Sequence, residues 1–263
     1  MTSVEPRRVT DERRGYEGRI GRYSRELAHE LIAVARVRSG QRALDVGCGT
    51  GALTAPLARL VGACLVVAVD PDLEALDACR ARLPGVDVRL GSAEALPCED
   101  GEFDVVLAQL VVGLLTDAAQ GVAEMRRVAR PGAPVATCVW DFGGGMTVLR
   151  AFWDAAIALD PRAAEHDQAS TRPYSTREEL HALWRAAGLR DVASGALVVG
   201  ADYRDFDDLW DPLVAPDGAP GRYCAALDHA HRDALRRAVC DRLHRPSGPF
   251  RLTARAWYAV GCA

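Results

Sequence analysis

The chain has 263 residues, 49% of them apolar and 26% charged, with a formal net charge of −4. That composition is ordinary for a globular protein and excludes a disordered chain, a collagen-like fibre and a disulfide mini-scaffold. All 32 basic residues are arginine and asparagine is absent, which excludes a Schiff-base lysine, a Walker-type phosphate lysine and an N-glycosylation acceptor.

Residues 1–25 hold seven arginines and four acids with little apolar content, and read as an N-terminal arm. Arg25 to Val37 has helical spacing, with Leu27, Leu31, Val34 and Ala35 on one face, and Ser39-Gly40 stops it. Strands and helices then alternate. Strands are predicted at 43–46, 64–69, 86–90, 103–109 and 134–140, and helices at 53–60, 73–83 and 118–129. This order implies a parallel sheet covered on both faces. After Asp141 the rhythm changes at Gly143-Gly144-Gly145. Ser175 to Gly188 carries a helix signal, with Ser175-Thr176 ahead of Glu178-Glu179. Leu197 to Val199 and Leu252 to Val260 read as the last two strands, with a helical, polar stretch over 201–248 between them. One domain over 26–263, carrying an insertion at 142–250, fits this pattern.

The segment Ala43-Leu44-Asp45-Val46-Gly47-Cys48-Gly49-Thr50-Gly51 runs a strand through a glycine turn into a helix. Glycine admits positive φ and close ligand approach, and the helix start presents free N–H groups. Asp70 ends the second strand, 21 residues past Gly49. An acid so placed commonly accepts from ribose hydroxyls, and its competing role is a helix N-cap before Pro71-Asp72.

With Ala93-Glu94-Ala95-Leu96-Pro97, Phe103-Asp104-Val105-Val106 and Arg127-Val128-Ala129-Arg130-Pro131-Gly132 following in order, the chain resembles the class I S-adenosylmethionine-dependent methyltransferases over roughly residues 16–141. It is most similar to their small-molecule branch. The resemblance implies an α/β, Rossmann-like sheet of seven strands, mostly parallel, with helices on both faces and the last strand antiparallel. It implies S-adenosylmethionine as cofactor, with Asp45, Gly47, Gly49 and Gly51 around the methionine part and Asp70 on the ribose. Pro71-Asp72 or Leu73 would flank the adenine, and Ser92 and Ala93 would sit at its edge. The family often has an acid where Ser92 stands, so weaker adenine binding is expected. Gln109 would face the methyl-transfer region, and Tyr16, Arg22, Tyr23 and Ser24 resemble a lid closing over the cofactor.

Methyl transfer is displacement at carbon and needs no obligate protein base. Among candidate bases, Asp141 follows the fifth strand and His166 lies in the insertion. His229 and His231, two residues apart, point to different helix faces and make a poor metal pair. The insertion concentrates aromatics where open α/β sheets bind ligands, so Phe142, Trp153, Tyr203 and Trp210 are expected to shape a substrate pocket. Trp184, on its helix, is expected to be core. The eight cysteines form no C-x-x-C pair and no metal cluster. No apolar run reaches the ~20 residues of a membrane span and no signal core is present, so a cytoplasmic chain is expected. The acidic balance argues against nucleic acid as a partner. The expected function is methyl transfer to a small organic molecule on oxygen, nitrogen or carbon. Its rivals are a non-methylating cyclase or elimination enzyme on the same fold, a nicotinamide dehydrogenase, and a non-catalytic cofactor-binding subunit. A dehydrogenase would want G-x-G-x-x-G in place of the tighter G-x-G-x-G. The oligomeric state is left open.

Overall fold

A computed structural model describes residues 20–216 and 218–263. In chain order these form α1 (Gly21–Val34), β1 (Ala43–Val46), α2 (Thr54–Val61), β2 (Val66–Asp70), α3 (Leu73–Arg82), β3 (Asp87–Leu90), β4 (Val105–Gln109), α4 (Ala118–Val128) and β5 (Pro134–Trp140). There follow α5 (Thr147–Leu159), α6 (Gln168–Thr171), α7 (Arg177–Ala186), β6 (Arg190–Tyr203), α8 (Phe206–Leu213), α9 (Ala219–Ala225), α10 (His229–Arg242) and β7 (Phe250–Cys262).

The chain divides into two compact units. Among the described residues, a sheet unit holds 24–146, 172–199 and 253–263, and a helical unit holds 20–23, 147–171 and the described part of 200–252. The expected insertion is therefore interrupted: α7 and most of β6 belong with the sheet. The seven strands run in the order β3-β2-β1-β4-β5-β7-β6. The first five are parallel, and β7 pairs antiparallel with β5 from Pro134↔Cys262 to Trp140↔Ala256.

The central strands are buried on both sides, so they read as continuous apolar runs rather than alternating ones. Alternate residues nevertheless serve different faces. Leu44, Val46, Val67, Val69, Val106 and Val135 pack with Val122 and Met125 of α4 and with Leu180 and Trp184 of α7. Ala68 packs on the other side with Leu76 and Cys79 of α3. Trp184 is core, as its helical position suggests, and its indole N–H donates to the Val135 carbonyl at 2.9 Å. The predicted helix start at Thr176 is a full capping box with Glu179.

Two elements differ most from the sequence reading. Strand β6 has 14 residues where only Leu197 to Val199 was legible. It lies at the sheet edge, so Arg190, Asp191, Ser194 and Gly195 carry no apolar alternation, and pairing with β7 makes them a strand. Helix α5 was not anticipated, because its aromatics read as pocket walls and three glycines blur its start. At the N-terminus, α1 begins at Gly21, so the last residues of the expected arm are helical. Tyr16, assigned with that arm, lies outside the described residues. Among the described residues no helix is long and apolar enough to cross a membrane.

Candidate active site

The strand order reverses between β1 and β4, which opens a crevice at the carboxyl ends of the parallel strands. Register places the β1, β2 and β4 ends side by side: Val46 faces Val69, and Asp45 faces Leu107. The glycine turn is tied down at this edge. Gly47 and Cys48 donate their N–H groups to the Val69 carbonyl at 2.7 and 3.0 Å. Gly47 has φ +71°, and a Cβ there would meet Val111 Cγ2 at 2.4 Å, so only glycine fits. Gly49 has φ +53°, yet a Cβ built on it meets nothing within 4 Å. Its face is open space, as a close-approaching ligand requires.

Asp70 does more than end β2. Its Oδ2 accepts the Gly49 N–H at 2.8 Å and its Oδ1 accepts the Asp72 N–H at 2.9 Å. The carboxylate thus locks the turn while keeping lone pairs for further donors. The N-cap role falls to Asp72, which accepts from Glu74 and Ala75 and separates the two readings of Asp70. Pro71 is exposed beside it, and Ala93 is buried in the sheet core.

Asp45 is 1% exposed, and Thr54 of α2 donates its hydroxyl to Asp45 Oδ2 at 2.6 Å. Burial pushes the Asp45 carboxyl up to about 7, against the Thr54 hydrogen bond and with help from Cys79 and Asp70. An unfolded aspartate titrates near ~3.9. The folded state therefore holds the proton more tightly, and stability falls as pH rises from about 4 through about 7. Between pH 5 and pH 8 the parent should lose about 2–3 kcal/mol relative to Asp45→Asn, which still accepts from Thr54. Denaturant unfolding at both pH values checks this; parallel pH dependence in the two proteins would refute it. Thr54 was missed in the sequence, although a polar residue opening the mostly apolar α2 was a usable signal.

At the end of β4, Gln109 donates its side-chain N–H to the Ser24 carbonyl at 3.1 Å. Gln109 Oε1 and Ser24 Oγ are both buried without a protein partner. The next residue, Leu110, has φ +64°, a left-handed backbone that costs a branched residue energy. Two buried polar atoms without a protein partner and a left-handed residue thus fall at one strand end, and a buried polar atom left unpaired is costly. The open face at Gly49, the locked Asp70 and these orphans fit S-adenosylmethionine.

The other sequence candidates are placed differently. Asp141 Oδ1 accepts from the Gly143 and Gly144 amides at 3.1 and 3.3 Å, and Oδ2 pairs with Arg255. A carboxylate so engaged fixes the glycine run after β5. Phe142 is half-buried in the sheet unit. Trp153 and Trp210 sit in an aromatic cluster of the helical unit. Phe152 lies 4.9 Å from Trp153 and 6.3 Å from Trp210, and Trp153 lies 5.7 Å from Tyr223. Trp153 is fully buried and donates to Gln168 Oε1 at 2.7 Å. His166 is exposed, its ring 5.7 Å from that of Tyr223. Tyr203 stacks on Phe250 at 5.3 Å and shares a hydrogen bond of 3.1 Å with the Tyr23 hydroxyl. Arg22 holds both oxygens of Asp208, at 2.8 and 3.0 Å, so that guanidinium fork already grips a protein carboxylate. Among the described residues no three His, Cys, Asp or Glu side chains are grouped to hold a metal.

Residues 44–137 match a family described as a methyltransferase domain. A demethylmenaquinone methyltransferase of Roseiflexus sp. (strain RS-1) is 34% identical over 193 residues, covering 67% of this chain and 79% of that protein. An uncharacterized 37.1 kDa transposon protein of Streptomyces fradiae is 41% identical over 153 residues; these cover 57% of this chain but only 41% of that longer protein. A solved SAM-dependent methyltransferase of Thermotoga maritima, described as a possible histamine N-methyltransferase, superposes with a TM-score of 0.55 at 17% identity, covering 97% of this chain and 96% of that one. By sequence over that span, and with the sheet order in agreement, the chain belongs to the S-adenosylmethionine-dependent methyltransferases.

Proposed function

We propose that the protein transfers a methyl group from S-adenosylmethionine to oxygen, nitrogen or carbon of a small organic molecule. The observation that carries this is the Gly49–Asp70 arrangement: an open glycine face beside a carboxylate whose two oxygens are fixed by backbone donors. In this reading Asp70 accepts from the ribose hydroxyls. Asp45 and the turn Gly47, Gly49 and Gly51 surround the methionine part, and Pro71, Ser92 and Ala93 border the adenine. Gln109 and Ser24 offer the unpaired Oε1 and Oγ at the reacting end. When bound, S-adenosylmethionine supplies a methyl group on a sulfonium, so the protein's work is alignment and exclusion of water. The engaged state of Asp141 suits a transfer that needs no protein base.

A small apolar or neutral substrate accords with the acidic chain, in which Arg22 and Arg251 are paired with Asp208 and Asp202. Polyanion binding would need clustered, unpaired basic side chains. In the helical unit Trp153, Tyr203 and Trp210 are all buried, and Tyr203 and Trp210 are the pair put forward to shape the substrate. The Roseiflexus relative's name points to a quinone-type acceptor, which makes phenols and hydroquinones the first compounds to test. Turnover with such acceptors should release one S-adenosylhomocysteine per product, read by mass spectrometry. Product formed without S-adenosylhomocysteine would establish the cyclase or elimination reading instead. Tight, salt-sensitive binding of RNA or DNA would overturn the small-molecule one.

A further inference from the structure

Past the end of β3 the chain makes a tight turn at the same edge as Asp70. The Gly91 N–H donates to the Asp70 carbonyl at 3.2 Å, and the Ala95 N–H to the Ser92 carbonyl at 3.1 Å. Within this turn the Ser92 hydroxyl hydrogen-bonds Glu94 Oε2. The other carboxylate oxygen of Glu94 accepts two amides that lead into α4, Thr116 N–H at 3.0 Å and Asp117 N–H at 3.3 Å. These bonds, the Ser92 hydroxyl first among them, hold the Glu94 carboxyl below its ordinary range, so it is ionised at neutral pH.

Counting protons fixes the polarity of Ser92. An ionised carboxylate only accepts, so the proton between the two side chains comes from the serine. A serine has one hydroxyl proton and two lone pairs. The proton is committed to Glu94, and one lone pair takes the Glu94 N–H at 3.2 Å. What Ser92 has left is one lone pair. Toward a ligand it is an acceptor only, the polarity of the acid it replaces. Glu94 cannot turn away to release it, because its second oxygen is clamped by the two amides.

We propose that Glu94 is a specificity-determining positioning residue: acting through Ser92, it selects a cofactor whose purine carries a 6-amino donor over one carrying a 6-oxo acceptor. The inference rests on the reading of Ser92 as the adenine edge given above. It deepens that reading, because serine alone has no preference between the two purines; its hydroxyl rotates to suit either.

The clamp also dictates what substitution does. In Glu94→Gln, the Thr116 and Asp117 amides demand the side-chain oxygen, which turns the amide nitrogen toward Ser92. That nitrogen donates to Ser92 Oγ and frees the hydroxyl proton to point at the ligand. Ser92 then becomes a donor, and the purine preference moves toward the 6-oxo form.

The test measures dissociation constants of S-adenosylhomocysteine and S-inosylhomocysteine by calorimetry for the parent, Glu94→Gln and Ser92→Ala. The parent should favour the adenosyl compound by about tenfold, the worth of one hydrogen bond. Glu94→Gln should bring the ratio to unity or invert it, and Ser92→Ala should bring it to about unity without inversion. A merely structural role for Glu94 would weaken both ligands equally and leave the ratio at the parent's value, which overturns the proposal. Should Glu94→Gln fail to fold, an unchanged ratio in Ser92→Ala overturns it equally. A parent that binds neither compound would instead overturn the cofactor reading beneath it.

Discussion

Asp70→Ala should weaken S-adenosylhomocysteine binding by a hundredfold or more. The carboxylate is proposed to accept from two ribose hydroxyls, and hydrogen bonds to charged groups contribute about 1.5–3 kcal/mol each. At about 1.4 kcal/mol per tenfold, two such bonds already reach that figure. The geometry adds a second loss. Asp70 also receives the Gly49 and Asp72 amides, so alanine frees the glycine turn as well as removing the ribose partner. Asp70→Asn should fall between parent and alanine. One end of its amide is a donor and opposes whichever backbone N–H it faces. Calorimetry on the three proteins, each checked for a cooperative melt, measures the effect. An alanine variant that melts as the parent does and binds S-adenosylhomocysteine equally would remove Asp70 from the cofactor site.

Trp153→Ala should cost about 3–5 kcal/mol of stability, the usual range for removing a fully buried tryptophan. In a chain of this size that is a fall in melting temperature on the order of 10 °C. The ring is enclosed by Phe152 and Tyr223, and its indole N–H is satisfied by Gln168. Removing it opens a large cavity and leaves the Gln168 oxygen without that donor. S-adenosylhomocysteine affinity, proposed to rest on Asp70 and the glycine turn of the sheet unit, should change little in the fraction that stays folded. Trp153→Phe keeps most of the ring volume and should cost less. A Trp153→Ala protein that melts with the parent and loses only turnover would return Trp153 to the substrate wall.

The parallel core and its glycine turn were legible because two kinds of signal agreed. Apolar runs of four to seven residues mark buried parallel strands, and each is followed by a helix start or a glycine. Gly47, Gly49 and Asp70 could be placed from spacing alone because a strand-turn-helix unit leaves their geometry little freedom. What the spacing could not show is which side chains had already spent their hydrogen bonds. Asp141 stands at a strand end, as an active carboxylate should, yet Arg255, distant in sequence, and two nearby amides occupy it. Arg22 carries the fork suited to a cofactor carboxylate and gives it to Asp208. Thr54 and Glu94 escaped notice for the converse reason: each looks like routine helix or loop polarity until its partner, Asp45 or Ser92, is seen. The long edge strand β6 was hidden because an edge earns its pairing from backbone bonds that leave no apolar period.

The place of β5 in the sheet has a consequence for how the protein is made. Its neighbour on one side, β4, precedes it closely, but its neighbour on the other, β7, comes only after residues 141–249. At a synthesis rate of about 5–20 residues per second, the far edge of β5 waits on the order of 5–20 s for its partner. During that interval an apolar strand from Val135 to Trp140, buried in the finished sheet, offers unpaired amides and carbonyls to any passing strand. Pro134, which has no N–H, blunts only its first position. The yield of folded protein should therefore depend on translation speed and chaperone supply, and nascent chains stalled before β7 should be the species that associate.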